Sequence, residues 1–191
     1  MLYRPVKVPV VALAVTQYMA PIPPNSLALE DLERLGQAGP KNLDVINLDI
    51  AQPTEGHMVQ KRFWSLLKQN LSAARPGGPG KNVIVLYVSA HGVVDEGSRP
   101  CLLLSDADPL DSSTWIPVSE LLNNIKSYDK LSAEPDTKTV LILDAGRMHA
   151  NWSLGLLYNG FADHLARAVE DAGAKNLFVL NSAGPGQIGW S

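Results

Sequence analysis

Short apolar runs alternate with helix-period stripes along most of this chain, and that alternation limits its fold more than any other feature. Five runs read as strands: 8–16, 43–50, 82–89, 139–143 and 177–180. The first and third are almost wholly apolar, as in a strand covered on both faces, whereas 43–50 interleaves Asp44, Asn47 and Asp49. Between the runs lie i, i+3, i+4 patterns. They are Leu29, Leu32 and Leu35; Val59, Phe63, Leu66, Leu67 and Leu71; Val118, Leu121, Leu122 and Ile125; and Leu157, Phe161, Leu165 and Ala168. Gly36 and Gly173 are expected to stop the first and last of these helices. The expected order is β-α-β-α-β-insert-α-β-α-β. That order predicts an α/β sandwich of three layers, with a mostly parallel central sheet. The 191 residues fit a single domain.

The insert spans 92–117 and contains Cys101-Leu102-Leu103-Leu104, read as one arm of a small hairpin or a strand beside the main sheet. Asp95, Glu96, Gly97 and Ser98 precede that run, and Asp106, Asp108, Pro109 and Asp111 follow it, all turn-forming residues.

Composition removes several classes of function. The chain is 46% hydrophobic and 18% charged, enough to build a core, and its net charge of -3 gives no footprint for nucleic acid or an anionic membrane. No apolar run approaches the ~20 residues of a membrane span. Arg4 and Lys7 precede the apolar run 8–15, as in a leader, but Pro9 interrupts it and no small-x-small site follows. The single cysteine, Cys101, rules out a disulfide within the chain and points to a reducing, cytoplasmic setting. No cofactor or metal is expected. His57, His91, His149 and His164 lack zinc spacing with that cysteine. Asp106, Asp108 and Asp111 fail the EF-hand pattern, having Asp111 where Gly is needed and Pro117 where Glu is needed. Gly184, Gly186 and Gly189 match G-x-G-x-x-G, but at the fifth strand and without a following helix and acidic residue.

Ligands of open parallel sheets bind beyond the carboxyl ends of the strands. The residues there are Gln17 and Tyr18, Gln52, Ser89-Ala90-His91-Gly92, Asp144-Ala145-Gly146-Arg147, and Asn181-Ser182-Ala183. Two of these segments are distinctive. A His-Gly pair follows the third strand, and an Asp-Ala-Gly segment follows the fourth, with Gly146 lying 55 positions after His91. Caspases place their histidine ~50 residues before the catalytic cysteine. The segment from Ser182-Ala183 to Gln187 follows the fifth strand, and Cys101 to Asp106 follows the histidine.

In these four segments, over roughly 8–191, the chain resembles the caspase-like domain, peptidase family C14 of clan CD. The resemblance implies a cysteine endopeptidase fold with His91 at the position of the general base and Gly146 at that of the nucleophile. It also implies a peptide groove lined by Asp144, Ser182 and Gln187. An acidic residue two positions before the nucleophile is similar to metacaspases and paracaspases, so Asp144 would favour a peptide or protein segment with a basic P1 residue. Two departures stand out. Gly146 carries no thiol, so no acyl-enzyme can form there. The sequence also stops at Ser191, before the further helix and strand of the family, which implies that the C-terminal part is missing. The expected function is therefore a catalytically inactive homologue, a pseudoprotease that recognises a peptide or acts as a scaffold. Two alternatives stay open: an active hydrolase using Ser89 or Ser182 as nucleophile, and a flavodoxin-like small-molecule binding module. Cys101, inside an apolar run, is expected to be a buried hydrophobe rather than a displaced nucleophile.

Overall fold

The structure is a computed structural model. It describes residues 8–38, 48–49, 58–73, 83–131, 138–145, 148, 159–185 and 187. The apolar runs form β1 (Val10–Ala14), β2 (Leu48–Asp49), β3 (Val83–Ser89), β7 (Lys138–Asp144) and β8 (Leu177–Asn181). These five pair in the order β2-β1-β3-β7-β8. Every pairing is parallel. The connecting helices are α1 (Leu27–Ala38), α2 (Met58–Ala73), α3 (Val118–Leu131) and α4 (Phe161–Ala172).

The strand order decides which face each helix covers. Passing from β1 to β2 runs one way along the sheet, and every later crossover runs the other way. Right-handed crossovers then put α1 on one face and α2, α3 and α4 on the opposite face. The packing agrees. Ala12 and Ala14 of β1 meet Ala28 and Leu32 of α1. Val11 and Leu13 belong with Leu86, Val88, Leu141 and Leu143 in the larger core. Val59, Phe63 and Leu67 of α2, Leu121, Leu122 and Ile125 of α3, and Leu165 of α4 complete it. The sheet reverses direction between β1 and β3, the topological switch point where ligands of such folds sit.

Helix ends follow local chemistry in one case and not in the other. Gly173 closes α4 in the left-handed region, φ 57, with its N–H donating to the Glu170 carbonyl. Gly36 does not stop α1, which continues to Ala38. One interior glycine costs ~1 kcal/mol of helix propensity, which the buried stripe Ala28–Leu32 outweighs. Leu157, expected to open the last stripe, and 43–47 of the second strand lie outside the described residues.

The insert is a second, antiparallel sheet of β4 (Gly92–Val94), β5 (Pro100–Leu102) and β6 (Ile116–Pro117). Asp95 builds the turn between β4 and β5. Its Oδ1 accepts from the Gly97 and Arg99 N–H groups at 2.9 and 2.8 Å. Its Oδ2 accepts from Arg99 Nε at 2.7 Å. These bonds hold Ser98 at φ 60. Burial raises the Asp95 carboxyl, but the bonds from Arg99 and Gly97 together outweigh it and leave the group below its ordinary range. A depressed carboxylate stabilises above its unfolded pKa of about 3.9, and that contribution is lost as pH falls through the folded value. Asp95→Asn is therefore expected to unfold at lower urea than wild type near neutral pH. The gap between their midpoints is expected to close on acidification below about pH 4.

Candidate functional site

The site forms where β1, β3 and β7 end side by side. Ala14, Ser89 and Asp144 are cross-strand partners in register. The alternation of β3 puts Tyr87 and Ser89 on one face. Both hydroxyls reach Asp144, with Tyr87 Oη donating to Oδ2 at 3.1 Å and Ser89 Oγ at 3.3 Å. Asn25 Nδ2 donates to Ser89 Oγ at 3.2 Å. Asp144 is only 7% exposed and Ser89 wholly buried. Burial pushes the Tyr87 phenol well up, and the Asp144 charge beside it adds to the rise, so Tyr87 remains a proton donor.

His91 lies two residues beyond β3 and is buried, at 4% exposure. Its backbone is tied on both sides. The N–H donates to Tyr18 Oη at 2.9 Å, and the carbonyl accepts from Leu103 N at 2.8 Å. Its imidazole stacks on the Tyr18 ring at 4.6 Å between centroids. Nε2 lies 2.8 Å from the Pro23 carbonyl oxygen. A carbonyl only accepts, so Nε2 carries a proton. Burial drives the Tyr18 phenol far up, opposed in part by the bond from His91, and keeps it neutral. The arrangement therefore supplies an imidazole oriented by a third group, one requirement of base-assisted nucleophilic chemistry.

Gly92 has a steric reason to follow His91. A Cβ there would come within 2.8 Å of the Phe161 ring and 2.9 Å of the Ala145 carbonyl oxygen. That same carbonyl accepts from Gly92 N at 3.2 Å, while Asp144 O accepts from Ala90 N at 3.3 Å. The His-Gly segment and the Asp144-Ala145 segment are thus bonded along their backbones. Gly146 and Arg147, which follow directly in sequence, lie outside the described residues.

The other two expected groove residues sit beyond β8. Ser182 is exposed, and its N–H donates to the Leu143 carbonyl at 2.9 Å. Gln187 is exposed as well, and its Oε1 accepts from Gly184 N at 3.0 Å, closing its own turn. In the sequence Tyr18 stands out only as a strand-end residue, and Pro23 and Asn25 carry no sign of a link to His91. A backbone carbonyl has no sequence signature. An Asn just ahead of a helix reads as an N-cap, which hides its reach to Ser89.

Cys101 is buried in β5, with a thiol pushed up to about 12 by desolvation first and the Asp95 charge second. It is expected to stay unlabelled by a thiol-reactive disulfide reagent at neutral pH in the folded protein. Full labelling is expected only after unfolding in guanidinium, because the thiolate is the reacting species.

Among the described residues no group of three or more His, Cys, Asp or Glu is placed to hold a metal ion. Asp108 and Asp111 serve their own turn, accepting from Leu110 N and Ser113 N. No described helix is long and apolar enough to cross a membrane. No known family model matches the chain, and no curated protein matches it.

Proposed function

We propose that this chain is a caspase-like cysteine endopeptidase homologue without its nucleophile, a pseudoprotease that recognises a peptide or protein segment. The observation that carries the reading is the imidazole of His91. It is held at the switch point by the Pro23 carbonyl and the Tyr18 ring, beside the strand end that leads through Asp144 to Gly146.

In the chemistry of this family a thiolate attacks the scissile carbonyl, and the histidine first takes and then delivers a proton. Gly146 supplies no nucleophile. Losing one costs ~10⁶ in rate in a comparable hydrolase, or ~8 kcal/mol of barrier. What is left is recognition. Asp144 receives two neutral hydroxyl donors. A Lys or Arg side chain entering there exchanges those bonds for shorter, charge-assisted ones. Ser182 and Gln187 are proposed to flank the bound segment from beyond β8.

The hydrolase reading with another serine has less support. Ser89 Oγ is fully buried and spends its bonds on Asp144 and Asn25. The strand order β2-β1-β3-β7-β8 is shared with flavodoxin-like binding modules. That reading gives no reason for an imidazole stacked on a tyrosine ring and bonded to a backbone carbonyl.

Calorimetric titration of the wild-type protein with short peptides ending in Arg, Lys or Asp tests the proposal. The basic peptides are expected to bind at least ~10-fold tighter than the acidic one, a difference of ~1.4 kcal/mol. Asp144→Asn is expected to remove that preference. Equal affinity for all three, or no binding of any, contradicts recognition at this site.

A further inference from the structure

We infer that Asn25 is a positioning residue for His91, acting through a strap formed by residues 16–25. The functional meaning of this strap rests on the proposed role of His91. The strap leaves β1 at Thr16 and returns to the same point, since Asn25 N donates to the Thr16 carbonyl at 3.0 Å. Between those ends it touches His91 at three places. Tyr18 Oη takes the His91 N–H, the Tyr18 ring covers the imidazole, and the Pro23 carbonyl takes Nε2–H. A second backbone bond, Met19 N to the Ser105 carbonyl at 3.1 Å, moors the middle of the strap to the segment after β5.

Asn25 does more than close the ring. It is 3% exposed, and its Nδ2 donates to Ser89 Oγ across 64 positions of sequence. Ser89 in turn donates to Asp144. The amide therefore joins the returning end of the strap to the last residue of β3, two positions before His91 itself. The Pro23 carbonyl lies two positions before Asn25. Both partners of the 2.8 Å bond from Nε2 are thus each two residues from one side-chain bond. Without that bond, two prolines, Pro23 and Pro24, still stiffen the strap, but its returning end loses this tie to the last residue of β3. A carbonyl that shifts by ~1 Å stops dictating the tautomer, and misplacement on that scale costs ~10²-fold in a catalysed rate.

The test is the ¹⁵N spectrum of the His91 ring in the full chain at neutral pH. Wild type is expected to show a single Nε2–H tautomer. Asn25→Ala and Ser89→Ala are each expected to turn it into a mixture of tautomers, since each removes the bond that joins the two residues. Asn70→Ala is the control. It removes a buried amide bonded to the Leu66 carbonyl at 2.8 Å in α2, and it is expected to lower stability while leaving the His91 pattern unchanged. Folded Asn25→Ala and Ser89→Ala proteins that both keep the pure Nε2–H pattern overturn the inference. If Asn25→Ala does not fold, Ser89→Ala decides in the same way. A second readout is available in the Gly146→Cys background, where Asn25→Ala is expected to lower kcat ~10²-fold with KM little changed. If Gly146→Cys itself cleaves nothing, the proposed function fails, while the ring spectrum still decides the strap.

Discussion

Phe161→Ala is expected to lower the stability of the chain by ~3–5 kcal/mol, a large share of the ~5–15 kcal/mol of a typical domain. The side chain is 2% exposed and opens α4. It belongs to the same core as Leu102 of β5, Val118 and Leu121 of α3, and Leu143 of β7. Its backbone N–H donates to Asn159 Oδ1 at 3.0 Å. The ring also lies where a Gly92 Cβ would be. Truncation therefore opens a cavity beside Gly92, in the core that the main sheet, the small sheet and α3 share. Urea unfolding is the measurement. The midpoint is expected to fall with the slope unchanged, as for a lost packing interaction in an intact fold. A midpoint within experimental error of wild type would remove Phe161 as the link between the two sheets.

Much of this architecture was legible because its elements are periodic and buried. Of the stripe Val59, Phe63, Leu66, Leu67 and Leu71, all but the half-buried Leu66 are buried, and the runs of β3 and β7 alternate buried and half-buried residues as paired strands should. β6 escaped notice because it is two residues long and ends in Pro117, which cannot donate to a ladder and so marks an edge. Gly36 misled because propensity is a weak force beside the burial of Ala28 and Leu32.

The site was legible in part, and for a physical reason. His91 and Asp144 announce themselves by position, since each follows a buried strand. Their partners do not. Tyr87 and Ser89 reach Asp144 across 57 and 55 positions. Asn25 reaches Ser89 across 64, and the atom that orients His91 is the Pro23 carbonyl oxygen, an atom every residue type possesses. Such contacts are set by which strand ends lie side by side. Periodicity gives the strands, but only the order β2-β1-β3-β7-β8 brings these ends together. Asp144 shows the consequence. Its carboxylate is already part of an internal network with Tyr87 and Ser89, so any basic ligand must compete with two hydroxyl groups.

The second large effect concerns activity. His91 is clamped and its proton is fixed on Nε2, while the residue at 146 has no side chain. Restoring the missing thiol is expected to return a substantial part of the ~10⁶ that a lost nucleophile costs. Asp144 and Ala145 are bonded along Ala90 and Gly92, so the backbone leading to position 146 is anchored beside the histidine. The decisive measurement is hydrolysis of fluorogenic peptides with P1 Arg, Lys or Asp by wild type, Gly146→Cys, and Gly146→Cys with His91→Ala. Wild type is expected to be inactive, and Gly146→Cys to cleave after Arg or Lys at least ~10³-fold faster than wild type. His91→Ala is expected to take away ~10²–10⁴ of that gain. A folded Gly146→Cys protein that cleaves no peptide, or one whose cleavage is indifferent to His91, would contradict the account.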